Sequence, residues 1–202
     1  VLLTVFSVSI SNSYAQYCAA GSDFCDEYIS DVQLGAFTNP SACGTGGYTD
    51  YTAFSIDMMQ QTDYPVTVIN GLPIYTADQC GVWVDWNQDG DFDDADETIA
   101  VTGNPGVGPY VAMVNPPVGS LLGSTRMRIR IQWTGAVLSC GNASFGEVED
   151  YTVNVLPPPS CPIPSGLNVQ TITSSSALLD WNDVGPATGG YLLRYKLASD
   201  PI

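Results

Sequence analysis

Histidine is absent from all 202 residues. Its absence removes the usual general base near neutral pH, the usual zinc ligand, and every Ser-His or Cys-His nucleophile pair. That is the strongest argument from composition against an enzyme. Cations are also scarce. Lys and Arg together number 5 against 21 Asp and Glu, giving a net charge of −16 and a pI near 4.1. Such a polyanion repels nucleic acid and anionic lipid surfaces, so neither is an expected partner, while its field draws in divalent cations. No apolar run is long enough to span a bilayer, since the apolar opening stretch ends near Ile10. No stretch shows the periodicity of a helix of normal length. Charged residues make up only 13 % of the chain, so its surface must consist largely of Ser, Thr, Asn, Gln and Gly, as in many secreted all-β proteins.

What the chain does have is acid concentrated in one place. Asp85-Trp-Asn-Gln-Asp-Gly-Asp-Phe-Asp-Asp-Ala-Asp-Glu97 places oxygen-bearing side chains at alternate positions, with Gly90 sixth from Asp85. This is the arrangement of a calcium loop, in which a residue without Cβ takes the sharp bend and oxygens converge on a hard cation. The expected Ca²⁺ ligands are Asp85, Asn87, Asp89, Asp91 and Asp93, with Asp96 or Glu97 closing the shell. The flanks, Cys80 to Asp85 and Thr98 to Thr102, alternate and are rich in β-branched residues, so the loop joins two strands and not two helices.

Six cysteines, at 18, 25, 43, 80, 140 and 161, show no C-x-x-C spacing. Without histidine or clustering, disulfides in an oxidising compartment are the natural reading. Spacing leaves the connectivity open. We favour Cys25 with Cys43 and Cys18 with Cys140, which leaves Cys80 and Cys161 free or paired outside the chain.

Taken in order, residues 1–16 read as the remnant of a secretory signal peptide, with Ser13-Tyr14-Ala15 as a small-x-small cleavage site. The rival reading is a donor strand, because Phe6, Val8 and Ile10 alternate with serines and could complete an open sheet edge. Residues 17–156 consist of short alternating runs broken by Gly, Asn, Asp and Pro, which predicts an all-β sandwich of jelly-roll or Ig-like type. The strands expected are Tyr28–Gly35, Tyr51–Met58, Tyr64–Asn70, Val82–Asp85, Thr98–Thr102, Tyr110–Val114, Thr125–Trp133 and Gly146–Val155. In the seventh, Met127, Ile129, Ile131 and Trp133 face one way and Arg126, Arg128 and Arg130 the other, so the arginines should pair with carboxylates on neighbouring strands. In the last, unbroken alternation would place Glu147 and Glu149 on the core side. Buried acids need compensation, and the expectation is that they meet the arginine row or are turned outward by a bulge. A glycosidase pair is a poor reading, since two glutamates two apart on a strand stand side by side and do not flank a bond.

Three separated motifs, Val84-Asp-Trp-Asn-Gln-Asp-Gly-Asp-Phe92, Thr125-Arg-Met-Arg128 and Gly146-Glu-Val-Glu-Asp-Tyr151, resemble the GEVED domain, as do Tyr17-Cys18 and Gly47-Tyr-Thr-Asp-Tyr51. The resemblance implies a β-sandwich module of large secreted or surface proteins of Bacteroidetes-type bacteria, found beside fibronectin-like repeats, peptidases and adhesins. It carries over no catalytic residue. Residues 157–163 form a Pro-rich linker. In residues 164–202, Ala177-Leu-Leu-Asp-Trp181 and Tyr191-Leu-Leu-Arg-Tyr195 look like the opening strands of a fibronectin type III domain. The function expected is a non-catalytic, calcium-stabilised module of the cell surface that binds an extracellular glycan or protein. Tyr48, Tyr51, Tyr75 and Trp86 are candidate sugar-stacking rings. The alternative is a subunit of an extracellular fibre, whose N-terminal segment completes the sheet of a neighbouring copy.

Overall fold

The computed structural model describes residues 17–159 and 165–182. The readings placed on residues 1–16, on Cys161 and on the Tyr191–Tyr195 strand lie outside that range. The chain divides into two compact units, up to Pro158 and from Pro159 onward. In the second unit the described residues form an antiparallel pair, Asn168–Ile172 with Ala177–Asp180.

The first unit is a β-sandwich. One sheet contains β1 (Ala20–Phe24), β4 (Tyr48–Met59), β6 (Asp78–Val84), β7 (Thr98–Ile99), β10 (Gly123–Trp133) and β11 (Gly141–Leu156), in the order β1-β11-β10-β6-β7, with β4 also on β11. The other runs β3-β2-β5-β9-β8, from β2 (Ile29–Leu34), β3 (Phe37–Pro40), β5 (Tyr64–Asn70), β8 (Val101–Thr102) and β9 (Tyr110–Val114). Alternation puts Val82, Val84, Met127, Ile129, Ile131, Tyr151, Val153 and Val155 on the inner face of the first sheet. They pack against Val32, Val66, Val68, Ala112 and Val114 of the second in one core, all fully or almost fully buried. Among the described residues there is no helix.

β11 holds the first sheet together. At 16 residues it is long enough to pair with three partners, β10 along one edge and on the other β1 near its start and β4 near its end. Two of these pairings are parallel. The register with β10 runs unbroken from Gly123 opposite Val155 to Gln132 opposite Gly146. No bulge in that pairing turns the glutamates, and the irregularity beside Tyr151 falls in the pairing with β4, where Thr52 to Phe54 are passed over. Gly146 opens the acidic pentapeptide with a φ of 146°, and a Cβ there would collide with the Ile131 carbonyl on β10.

β1 and β3 have no alternation to announce them. Ala20-Gly-Ser-Asp-Phe24 is held as a strand by its parallel register with residues 141–145 and by the Cys18–Cys140 bridge just before it. A second bridge joins Cys25 to Cys43, and Cys80 is a free thiol buried in the core. Both bridges match the favoured pairing. Burial pushes the Cys80 thiol well above its usual range, so it behaves as a small apolar side chain. Because the Cys18–Cys140 bridge closes a loop of 122 residues, the Cys18→Ser, Cys140→Ser variant should lose about 2–5 kcal/mol of stability in urea unfolding. An unchanged midpoint would mean that β1 is held without it.

Candidate metal loop and acidic pentapeptide

Asp85 directly follows β6 and is fully buried. Its Oδ1 accepts from the Gln88 N–H (2.6 Å), while Oδ2 accepts from the Gly90 N–H (3.1 Å) and the Tyr17 hydroxyl (2.6 Å). Glu97, at the other end of the loop, is also fully buried, and it accepts from Trp86 N–H (2.9 Å) and Asp94 N–H (3.3 Å). Burial raises the pKa of Glu97, against the pull of those backbone donors. Between these anchors the chain winds through successive Asx turns, with Asn87 capping Asp89, Asp89 capping Asp91 and Asp91 capping Asp93. Gly90, at φ 97°, takes the bend assigned to it.

The winding converges three exposed carboxylates. Asp89, Asp91 and Asp94 each place one oxygen within 4.8 Å of the others. Two calcium–oxygen bonds end to end span about 5 Å, so this spacing fits Ca²⁺. Of the expected ligands, Asp89 and Asp91 are in the cluster. Asn87 lies against it, its amide nitrogen donating to Asp89 (3.0 Å) and Asp94 (2.7 Å). Asp85 and Glu97 frame the loop through its backbone, and Asp93 and Asp96 are exposed outside the cluster. Asp94 was missed, because counting alternate positions assumes an even path and the loop turns after Asp91.

The loop is pinned to the outer face of the sheet. Phe92 is buried, stacks on Tyr17 at 5.1 Å, and lies 5.2 Å beneath the Arg128 guanidinium. Arg126 covers the Tyr17 ring at 4.3 Å. Burial and then the bond to Asp85 hold the Tyr17 hydroxyl protonated, its pKa well above the usual tyrosine range.

The pentapeptide divides its acids between the two faces. Asp150, opposite Arg128 in the register, meets the arginine row and binds Arg128 at 2.7 and 2.8 Å and Arg126 at 3.2 Å. Glu147 and Glu149 do not, which corrects the expectation. They stand opposite Ile131 and Ile129 and point inward. Glu147 accepts from the Ile29 and Gly44 N–H groups (3.0 and 2.9 Å) and from Thr49 (3.1 Å), tying the start of the second sheet to the first. Glu149 accepts from the Tyr151 hydroxyl (2.6 Å), which in turn accepts from Asn39 (2.8 Å), and its other oxygen is buried with no donor. The suggested sugar platforms are mostly spent in packing. Trp86 is buried, Tyr51 stacks on Tyr151 and Tyr48 donates to Asp150, while Tyr75 is exposed.

An all-β sandwich with an acidic strand-loop-strand connection and a structural pentapeptide is the class of protein these features define. The family model of the GEVED domain matches residues 79–154, the span that holds the loop, the arginine strand and the pentapeptide. No curated protein matches the chain. The domain and its two disulfides are consistent with an extracellular surface module.

Burial raises the pKa of Glu149 from 4.5 to about 7. The folded state then binds the proton more tightly than the unfolded state. Its contribution to stability is complete below pH 4.5 and is lost as the pH rises through about 7, by at most about 3 kcal/mol. Urea unfolding from pH 5 to pH 8 should show this decline in the native chain and a flatter profile in Glu149→Gln. Parallel profiles would show that Glu149 titrates normally.

Proposed function

We propose that the chain is a non-catalytic module of secreted or cell-surface proteins, stabilised by Ca²⁺ at residues 85–97, that presents a rigid surface to an extracellular ligand. The observation that carries the calcium assignment is the frame of the loop. Two buried carboxylates, Asp85 and Glu97, are committed to backbone N–H groups at its ends, and three others, Asp89, Asp91 and Asp94, converge at its exposed tip. Converging carboxylates repel one another, and the Asn87 amide donates to two of the three, Asp89 and Asp94. Bound there, the ion would supply charge neutralisation and a fixed loop conformation. Further support comes from the acids and bases of the pentapeptide and arginine strand. Glu147, Asp150, Arg126 and Arg128 all serve cross-links within the fold, a structural use that supports the non-catalytic reading.

Extracellular calcium modules bind with dissociation constants of about 10⁻⁴ to 10⁻³ M, so about 2 mM Ca²⁺ should stabilise the chain by roughly 1–2 kcal/mol. Thermal melts with calcium and with chelator should therefore differ for the native chain and coincide for Asp89→Asn, Asp91→Asn. A native melt indifferent to calcium overturns the assignment.

A further inference from the structure

The outer face of the first sheet holds a buried cation that has no counterion among the described residues. Arg130 is 2 % exposed, and the ion pairs found among the described residues join only Arg126 and Arg128 to Asp150. The register explains the difference, because Arg128 stands opposite Asp150 while Arg130 stands opposite Val148 on β11 and Gly81 on β6. Backbone carbonyls of Leu138, Cys140 and Gly21 accept from its terminal nitrogens at 2.9, 3.3 and 3.1 Å. Its Nε is buried with no partner. Carbonyl dipoles solvate a guanidinium but leave its full positive charge in place, and such a charge in a poorly hydrated site favours an anion.

Arg130 also lines a cavity of about 340 Å³, walled by Trp133, Leu138 and Phe145 with Asn142 and Ser144 beside them. Polar groups, Gln132 and Thr134 among them, share the walls with these apolar side chains, and the cavity is open to solvent. Trp133 is 47 % exposed and set edge-on to Phe145 at 5.9 Å, and Leu138 is 63 % exposed. We propose that this cavity binds a small carboxylate carried on a ring, its carboxyl group meeting Arg130 and its ring lying on Trp133 and Phe145. The volume sits at the small end of ligand sites and suits one ring. With a net charge of −16 the chain repels polyanions, which points to a single carboxylate and not a highly charged chain. This inference rests on the reading of the chain as a ligand-presenting module and is independent of the calcium loop.

The test is a calorimetric titration of the full chain, in saturating calcium, with galacturonate and phenylacetate against the uncharged galactose and phenylacetamide. At least one acid should bind about tenfold or more tightly than its neutral counterpart, and which acid does so separates a sugar source from an aromatic one. Leu138→Asp adds a negative charge at the mouth without disturbing the core and should weaken the acid about tenfold, while Leu138→Asn weakens it much less. Trp133→Ala should weaken both members of a pair. Equal binding of acid and neutral analogue, no saturable binding of either acid, or no difference between the two Leu138 variants overturns the proposal. Melting with calcium and chelator on the same preparation scores the loop separately, so failure of either reading is seen without the other.

Discussion

The contact between Arg128 and Asp150 is the one on which the outer face of this domain depends. It is bidentate, fully buried and made across directly opposed positions of β10 and β11. Taking two charges out of water is costly, and such a pair is retained only when the remaining donors are also satisfied. Here they are, because Arg128 also donates to the carbonyls of Cys18 and Ser139, at 3.0 and 2.8 Å. One guanidinium thereby gathers the segment at Cys18, the 134–140 loop and the acidic strand. The Cys18–Cys140 bridge ties two of those segments together covalently.

The acidic loop is tied into the same assembly. Phe92 reaches back beneath Arg128, Tyr17 stacks on Phe92 and donates to Asp85, and Arg126 spans Tyr17 and Asp150. The separated motifs of the chain, Tyr17-Cys18, the loop, Arg126 to Arg128 and the pentapeptide, therefore meet at one place. Their meeting gives each a physical reason. The pentapeptide needs glycine for close approach to β10, a first glutamate to stitch the two sheets, a second to accept from Tyr151, and an aspartate for the arginine. Its acids hold the scaffold.

Most of the sandwich was legible because its strands alternate strongly. Thr125–Trp133 and Tyr64–Asn70 show their inner and outer faces in the residue pattern itself, and the structure places both as strands. What failed was the assignment of partners, which depends on register. Alternation with Tyr151, Val153 and Val155 put Glu147 and Glu149 on the core side, where they are, but it did not say what would meet them there, and only the register sets Asp150 opposite Arg128. β1 was invisible for a different reason, since its conformation comes from a disulfide and a distant strand. In the acidic loop the composition and Gly90 were readable, but the Asx turns decided that Asp94 would join Asp89 and Asp91 and that Asp85 and Glu97 would bind backbone. The cavity beside Arg130 depends on tertiary structure alone, because it exists only once the 134–140 loop has folded over the sheet.

A double-mutant cycle on Arg128 and Asp150 tests the central claim most directly. Asp150→Leu leaves the buried Arg128 without its counterion and Arg128→Met leaves the buried Asp150 with only the partly exposed Arg126, so each made singly should cost about 3–5 kcal/mol in equilibrium unfolding. Made together they should cost far less than the sum of the two, with a coupling of about 2 kcal/mol or more. Additive losses would contradict the account, since the two side chains would then contribute independently and the outer face would not be organised by their contact.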